Sequence, residues 1–212
     1  KDSLIKPIPS HNEGNNIAYY WAPSIGKLRE GAFYINDSVS ANNSSHTFEV
    51  LSLHEDIPGH HYHFQYLNDN NISLFTRLFA CNAYVEGWGL YCENLGEYSD
   101  KRSYFGKLSF EMLRACRLVV DTGIHYYGNS REWAINYLKN NCFLEMDEIE
   151  IEVDRYIAIP GQALSYKVGE LFFLKAKKAY LDKYGEDTIK DFHKKVLDIG
   201  PVPLELVSRV LH

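Results

Sequence analysis

Apolar residues recur at helical spacing over most of this chain. From about Thr47 to the end, the pattern predicts helices over 47–67, 72–97, 103–127, 131–141, 145–157, 162–183, 186–197 and 202–211. The breaks fall where turn formers gather: Asn68-Asp69-Asn70, Ser99-Asp100, Gly128-Asn129, Pro160-Gly161, Gly185 and Gly200-Pro201. Residues 1–46 are different. They are rich in Pro, Gly and Asn and read as mostly irregular, with one short strand over Gly31–Asn36 (GAFYIN). The expected fold class is mainly α with a small β element near the N-terminus. Neither a repeat nor a splitting linker is visible, so 1–212 reads as one domain: an irregular and strand segment over 1–46, then a helical part over 47–212.

The polar positions within this pattern carry the chemistry. Leu51–His63 reads LSLHEDIPGHHYH and contains His54, Glu55, His60, His61 and His63. A His-Glu pair followed closely by further histidines is how a zinc hydrolase presents two imidazoles and a general base, usually as H-E-x-x-H on one helix face. Here the fourth position after His54 is Pro58, which cannot bind metal. On an ideal helix His60 lies ~120° from His54, and His61 lies ~20° away but ~10 Å further along. Pro58 has no N–H for the His54 carbonyl and its ring clashes with it, while Gly59 eases a bend. A distorted helix could therefore bring a later histidine to the metal. The alternative is a kinked, histidine-rich surface helix.

A second segment, Ala83–Gly96 (AYVEGWGLYCENLG), reads as a buried helix with Glu86 inside its apolar pattern. A carboxylate there is costly unless it is paired or bound to metal. Glu93, two turns on, shares nearly the same face. Glu86 or Glu93 would complete a His, His, Glu site; pairing of Glu86 with Arg114 or Arg117 is the competing reading. Asp121 and His125 lie four apart on RLVVDTGIH and share a face, a pair able to orient a ligand or meet an oxyanion. Arg155, Tyr156, Gln162 and Tyr166 flank the Pro160-Gly161 turn and offer donors to an oxyanion or a substrate carboxylate. A structural network beneath the active-site helix would use the same residues.

Four ordered segments, HEDIPGHH, VEGWGLYCE, RLVVDTGIH and EVDRYIAIPGQALSYKVG, resemble the domain-of-unknown-function 885 family, which is grouped with zincin-like metallopeptidases. The likeness extends to YYWAPSIGKLREGAFYIN and FHKKVLDIGPVPLELV near the two ends. It implies a gluzincin-like catalytic domain with Zn2+ as cofactor and a peptide as substrate. In related oligopeptidases and carboxypeptidases the string is H-E-x-G-H, with glycine directly before the second ligand. Gly59 before His60 thus points to His54, His60 and Glu86 as ligands and Glu55 as base. His61 remains the rival by helix phase, with Glu93 and Asp121 as alternative ligands or supporting groups. The family usually has glutamine where this chain has His63, which argues against His63 as a ligand. SYKVGEL resembles the Y-x-x-G-x-L segment of the carboxypeptidase relatives and places Tyr166 near the site, with Tyr166 or His125 facing the oxyanion. In gluzincins an edge strand pairs with the substrate backbone, a role that would fall to Phe33 and Tyr34; a strand enclosed in a small sheet is the other reading. Arg155, Tyr156 and Gln162 complete the expected substrate contacts. Family members are typically far longer, so a missing N-terminal part is expected to pack against this C-terminal catalytic part.

Composition adds exclusions. A net charge of −6 argues against a nucleic-acid surface. The absence of any run of 18 apolar residues argues against a membrane span. Cys81, Cys92, Cys116 and Cys142 are not spaced like zinc ligands. Sequons such as Asn36-Asp37-Ser38 and Asn71-Ile72-Ser73 lean toward a secreted or extracytoplasmic setting without fixing the compartment. Two other functions suit the same residues: a zinc hydrolase or amide-forming enzyme acting on small non-peptide substrates, and a degenerate metal-binding module. Glu55 argues against the last, since a binding module needs no base beside its metal.

Overall fold

The computed structural model describes residues 3–9, 18–25, 28–36 and 45–211. Three short strands form one sheet in the order β1-β3-β2: β1 Leu4–Pro7, β2 Ala18–Trp21 and β3 Ala32–Ile35. β3 is central, parallel to β1 and antiparallel to β2. The strand read from GAFYIN is therefore present, and two further strands that were not read from the sequence flank it. LIKP and AYYW are too short to show alternation, and pairing with β3 stabilises both.

The helices are α1 Phe48–Glu55, α2 His60–Asp69, α3 Leu74–Leu78, α4 Asn82–Glu93, α5 Lys101–His125, α6 Arg131–Asn141, α7 Met146–Ala158, α8 Leu164–Tyr184, α9 Ile189–Ile199 and α10 Leu204–Leu211. Local chemistry sets several ends. The Asp100 carboxylate accepts from the Arg102 and Ser103 amides and starts α5. Glu145 and Glu148 form a reciprocal capping box that starts α7. Gly185, at φ +103°, ends α8.

One predicted helix, 72–97, is two. The chain is extended at Cys81, whose N–H donates to the Pro201 carbonyl at 2.8 Å. That acceptor lies 120 residues away, so no local turn signal marks the break.

Among the described residues, two buried clusters hold the helices together. Tyr84, Trp88 and Tyr91 of α4 pack with Phe173 of α8, Phe192 and Val196 of α9, and Val207 of α10. Leu113 and Val120 of α5 pack with Leu138 of α6 and Ile149 and Val153 of α7. Burying each large side chain contributes about 1.5–3 kcal/mol. α4 and α8 cross with almost no gap. A Cβ on Gly87 would lie 2.4 Å from the Gly169 Cα, so this crossing requires glycine.

Candidate metal centre and cleft

α1 stops at Glu55 and α2 starts at His60. Between them Asp56–Gly59 leave the helix, with a cis peptide at Ile57-Pro58. The break anticipated from Pro58 and Gly59 is present, and it re-aims the histidines. The chain folds back so tightly that a Cβ on Gly59 would lie 1.9 Å from the His54 carbonyl oxygen. Trp88 Nε1 donates to the Pro58 carbonyl at 3.0 Å and ties this loop to α4. His54 and His60 end with ring centroids 4.7 Å apart and planes 88° apart.

Both imidazoles converge on Glu86. Its Oε2 lies 3.6 Å from His54 Nε2 and 3.5 Å from His60 Nε2. These separations are long for hydrogen bonds, but they match the edge of a tetrahedron with bonds of ~2.1 Å, which is ~3.4 Å. His54, Glu55 and His60 also offer ligand atoms lying within 4.8 Å of one another. Glu86, rather than Arg-paired, is thus the carboxylate between the two rings. The rival arginines are engaged elsewhere: Arg114 Nη2 lies 3.5 Å from Glu93, and Arg117 pairs with Glu152 at 2.8 Å.

The surroundings orient this set. Glu93 Oε1 lies 2.8 Å from His54 Nδ1, which leaves Nε2 facing Glu86. Glu93 is therefore a supporting group behind His54. Gly89 makes room for the ring: a Cβ there would lie 2.6 Å from His54 Cε1. Burial disfavours a charged His54, but Glu86 and Glu93 outweigh it and raise its pKa to about 10. Burial likewise pushes Glu86 toward neutrality, and the two imidazoles overcome it and hold the carboxyl well below the usual range.

Glu55 faces the cleft with its Oε2 accepting the Tyr20 backbone N–H at 2.9 Å. This corrects the sheet assignment. β3, with Phe33 and Tyr34, is paired on both sides, and Phe33 is buried, so it offers no free edge. The strand at the cleft is β2, and Ala18, Tyr19 and Tyr20 line it.

The cleft holds about 410 Å³. Tyr166 lines it, its ring 6.5 Å from that of His54. Burial, then the Glu86 charge, raises the Tyr166 pKa and keeps the hydroxyl protonated. The Arg117 guanidinium lies 4.6 Å from the Tyr166 ring centroid, and Gln162 Nε2 donates to its hydroxyl at 3.2 Å. Arg155 also lines the cleft.

Other expected site residues lie apart. His61 Nδ1 pairs with the Tyr20 hydroxyl at 3.0 Å, outside the Glu86 cluster, because consecutive positions on α2 point ~100° apart. His125 is exposed at the end of α5 and its Nε2 donates to the Tyr156 carbonyl at 2.9 Å, so it cannot meet an oxyanion here. Asp121 accepts from the Gly161 N–H at 3.0 Å and pins that turn, where Gly161 has φ +79°. Tyr156 is buried behind the wall, bonded to Arg117 and Glu152, and does not line the cleft. His193, on α9, lies behind this region: its Nε2 is 2.6 Å from the Tyr91 hydroxyl and its ring stands edge-on to Trp88. Tyr20 and Glu152 are cleft-lining positions the sequence did not single out. For Glu152 the spacing to Arg155 on one predicted helix was an available signal; for Tyr20, whose backbone acts, none was.

The fold and site together define a mostly helical domain in which two buried imidazoles and a carboxylate converge beside a second glutamate. The chain belongs to the family described as "Bacterial protein of unknown function (DUF885)", whose model matches residues 1–211. A crystal structure of "the putative lipoprotein from Colwellia psychrerythraea" is 34% identical, with a TM-score of 0.92 over 99% of this chain and 37% of that one. A "putative lipoprotein of unknown function from Shewanella oneidensis" is 24% identical, with a TM-score of 0.84 over 99% of this chain and 40% of its own, a likeness of fold alone. The chain thus spans about two fifths of the length of these solved structures. No curated protein matches.

Proposed function

We propose that this domain is the catalytic part of a zinc-dependent hydrolase that cleaves amide bonds in peptides. The observation that carries the reading is the position of Glu86 Oε2, 3.6 and 3.5 Å from the two imidazole Nε2 atoms. The donor set fits zinc. Two nitrogens and one carboxylate oxygen leave a fourth position open, as catalytic zinc sites do. Three carboxylates, Glu55, Glu86 and Glu93, surround two imidazoles, an excess of negative charge that a divalent cation offsets. His54, His60 and Glu86 would hold the ion.

When bound, zinc supplies Lewis acidity, polarising a carbonyl and lowering the pKa of water to about 7. Glu55, fixed by the Tyr20 N–H, takes a proton from the attacking water. The hydroxide adds to the carbonyl carbon. Tyr166 donates to the oxygen as it gains charge. Glu55 then passes its proton to the amine, and the C–N bond breaks. The cleft supports a substrate of modest size, with apolar surface from Leu51, Leu113 and Ile151. The lipoprotein description of the Colwellia relative supports an extracytoplasmic setting. No described helix is long and apolar enough to cross a membrane.

The test combines metal content with one variant. Protein purified without chelator is expected to carry one zinc per chain by elemental analysis. Glu55→Gln should keep that zinc and lose at least ~100-fold in turnover on short blocked peptides. Absence of zinc and of zinc uptake, or near-normal turnover by zinc-loaded Glu55→Gln, would overturn the reading.

A further inference from the structure

The cleft has a second charged wall. Arg114, Arg117 and Arg155 line it together with the carboxylates Glu148 and Glu152. Arg117 is committed: its Nε donates to the Tyr156 hydroxyl at 3.0 Å and its Nη2 to Glu152 Oε2 at 2.8 Å. Glu152 is also held by Arg155, through Nε at 3.2 Å and Nη2 at 2.9 Å. One carboxylate thus faces two guanidiniums and can neutralise only one. Glu148 adds a charge, but an oxygen of it accepts the Glu145 N–H at the start of α7.

Arg155 has donors to spare. A guanidinium carries five N–H groups. Arg155 uses Nε and Nη2 on Glu152 and Nη1 on Gln162, and its side chain remains 29% exposed. Arg114 is stranger. It is 6% exposed, yet among the described residues its Nε and Nη1 have no partner and its Nη2 makes one long contact with Glu93 at 3.5 Å. The Phe110 ring covers its face at 4.5 Å. A buried cation so poorly matched is costly unless an anion reaches its field. Arg114 thus supplies charge from the back of the wall, while Arg155 is placed to make direct bonds.

We propose that this wall is a carboxylate-recognition subsite, and that the domain takes substrates whose free C-terminal carboxylate lies close to the bond that is cut. The spacing sets how close. Tyr166 stands between the two walls: its ring lies 6.5 Å from the His54 ring, and its hydroxyl accepts from Gln162 Nε2 at 3.2 Å while Arg155 Nη1 donates to Gln162 Oε1 at 3.1 Å. An extended residue spans at most ~3.6 Å, so the carboxylate lies roughly one to two residues beyond the scissile carbonyl. Phe110, Leu113, Leu144 and Ile151 border the same space and favour an apolar terminal side chain. The position of the cut rests on the hydrolase reading above; the binding of the carboxylate does not.

The test is binding by the intact protein, with and without zinc, of N-acetyl-alanyl-phenylalanine and its C-terminal amide, by titration calorimetry. The acid should bind roughly 10- to 100-fold more tightly than the amide, the range of charge-assisted hydrogen bonds. Arg155→Gln should remove most of that preference for acid over amide, and Arg155→Lys, which keeps the charge but not the fork, should fall between. Circular dichroism verifies that each variant is folded. Arg114→Gln, if folded, should weaken acid binding further when combined with Arg155→Gln. Equal affinity for acid and amide, or no binding of either in the millimolar range, would overturn the subsite. Acid preference in a protein that takes up no zinc would sink the hydrolase reading and leave the subsite standing. Zinc and Glu55-dependent turnover without acid preference would do the reverse.

Discussion

Gly89→Ala isolates the clearance that seats His54. The added Cβ would lie 2.6 Å from His54 Cε1, 2.7 Å from Nε2 and 2.9 Å from Nδ1. Carbon atoms approach comfortably at about 3.5 Å, so the ring must retreat by about 0.9 Å. Ligand distances at a zinc site tolerate about 0.2 Å. The ring cannot slide along its own plane either, because Glu93 holds Nδ1 at 2.8 Å. A displacement of that size costs about 100-fold at a reacting centre, and the predicted zinc affinity falls by at least that factor. Stability should fall by at most about 2.5 kcal/mol. Overpacking costs about 1–3 kcal/mol, while alanine inside a helix recovers about 0.5–1 kcal/mol relative to glycine. The assay is zinc competition against a chelating dye, beside a urea melt of the metal-free protein. An unchanged zinc affinity in a folded Gly89→Ala variant would refute the placement of His54 at the metal.

Two further outcomes follow from the same geometry. Glu93→Gln should lower zinc affinity by about 10- to 100-fold, because it weakens the carboxylate that orients His54 and leaves Arg114 without its one anion; an affinity within threefold of the parent would contradict this. His63 is fully buried among Phe64, Tyr84 and Trp88, neither ring nitrogen has a partner among the described residues, and burial pushes its pKa down to about 3. The unfolded chain takes up a proton near pH 6.5 and the folded one resists it, so stability is lost as pH falls below 6.5 toward 3, by about 2 kcal/mol between pH 7 and 5. His63→Phe should be less acid-sensitive by that amount in urea melts at the two pH values; parallel pH profiles would show the ring protonates without cost.

Local signals made the helical part readable. Asp100, Ser130 and Gly185 stand where α5, α6 and α8 begin or end, and each acts through its own backbone neighbourhood. What failed depends on partners far away. The split between α3 and α4 depends on the Pro201 carbonyl, and β1 and β2 exist because β3 lies between them. The same division runs through the site. Pro58 and Gly59 announced the break, and the buried Glu86 announced a carboxylate among apolar residues. The spacing of Asp121 and His125 was a true shared helix face, but which way α5 turns that face is set by packing against α7 and the Gly161 turn. A face seen in sequence is therefore a statement of proximity, and its direction waits on the tertiary structure.

α4 shows how much of the site one helix can organise. Glu86, Gly89 and Glu93 fall on one face by the i, i+3, i+7 rule, and they supply the shared carboxylate, the clearance for His54 and the anchor behind it. Trp88, turned toward the aromatic core, holds the Pro58 loop from which His60 departs. Three elements of the centre thus take their positions from one rigid rod. The rod is fixed in turn against α8 at the Gly87–Gly169 approach, three residues from Tyr166. A substitution that widens that approach should move Tyr166 relative to Glu86 and His54 together, while leaving the mutual geometry of the two histidines and Glu86 largely intact. In the proposed hydrolase, metal binding and the placement of the oxyanion donor would therefore be separable, the first built along α4 and the second across its contact with α8.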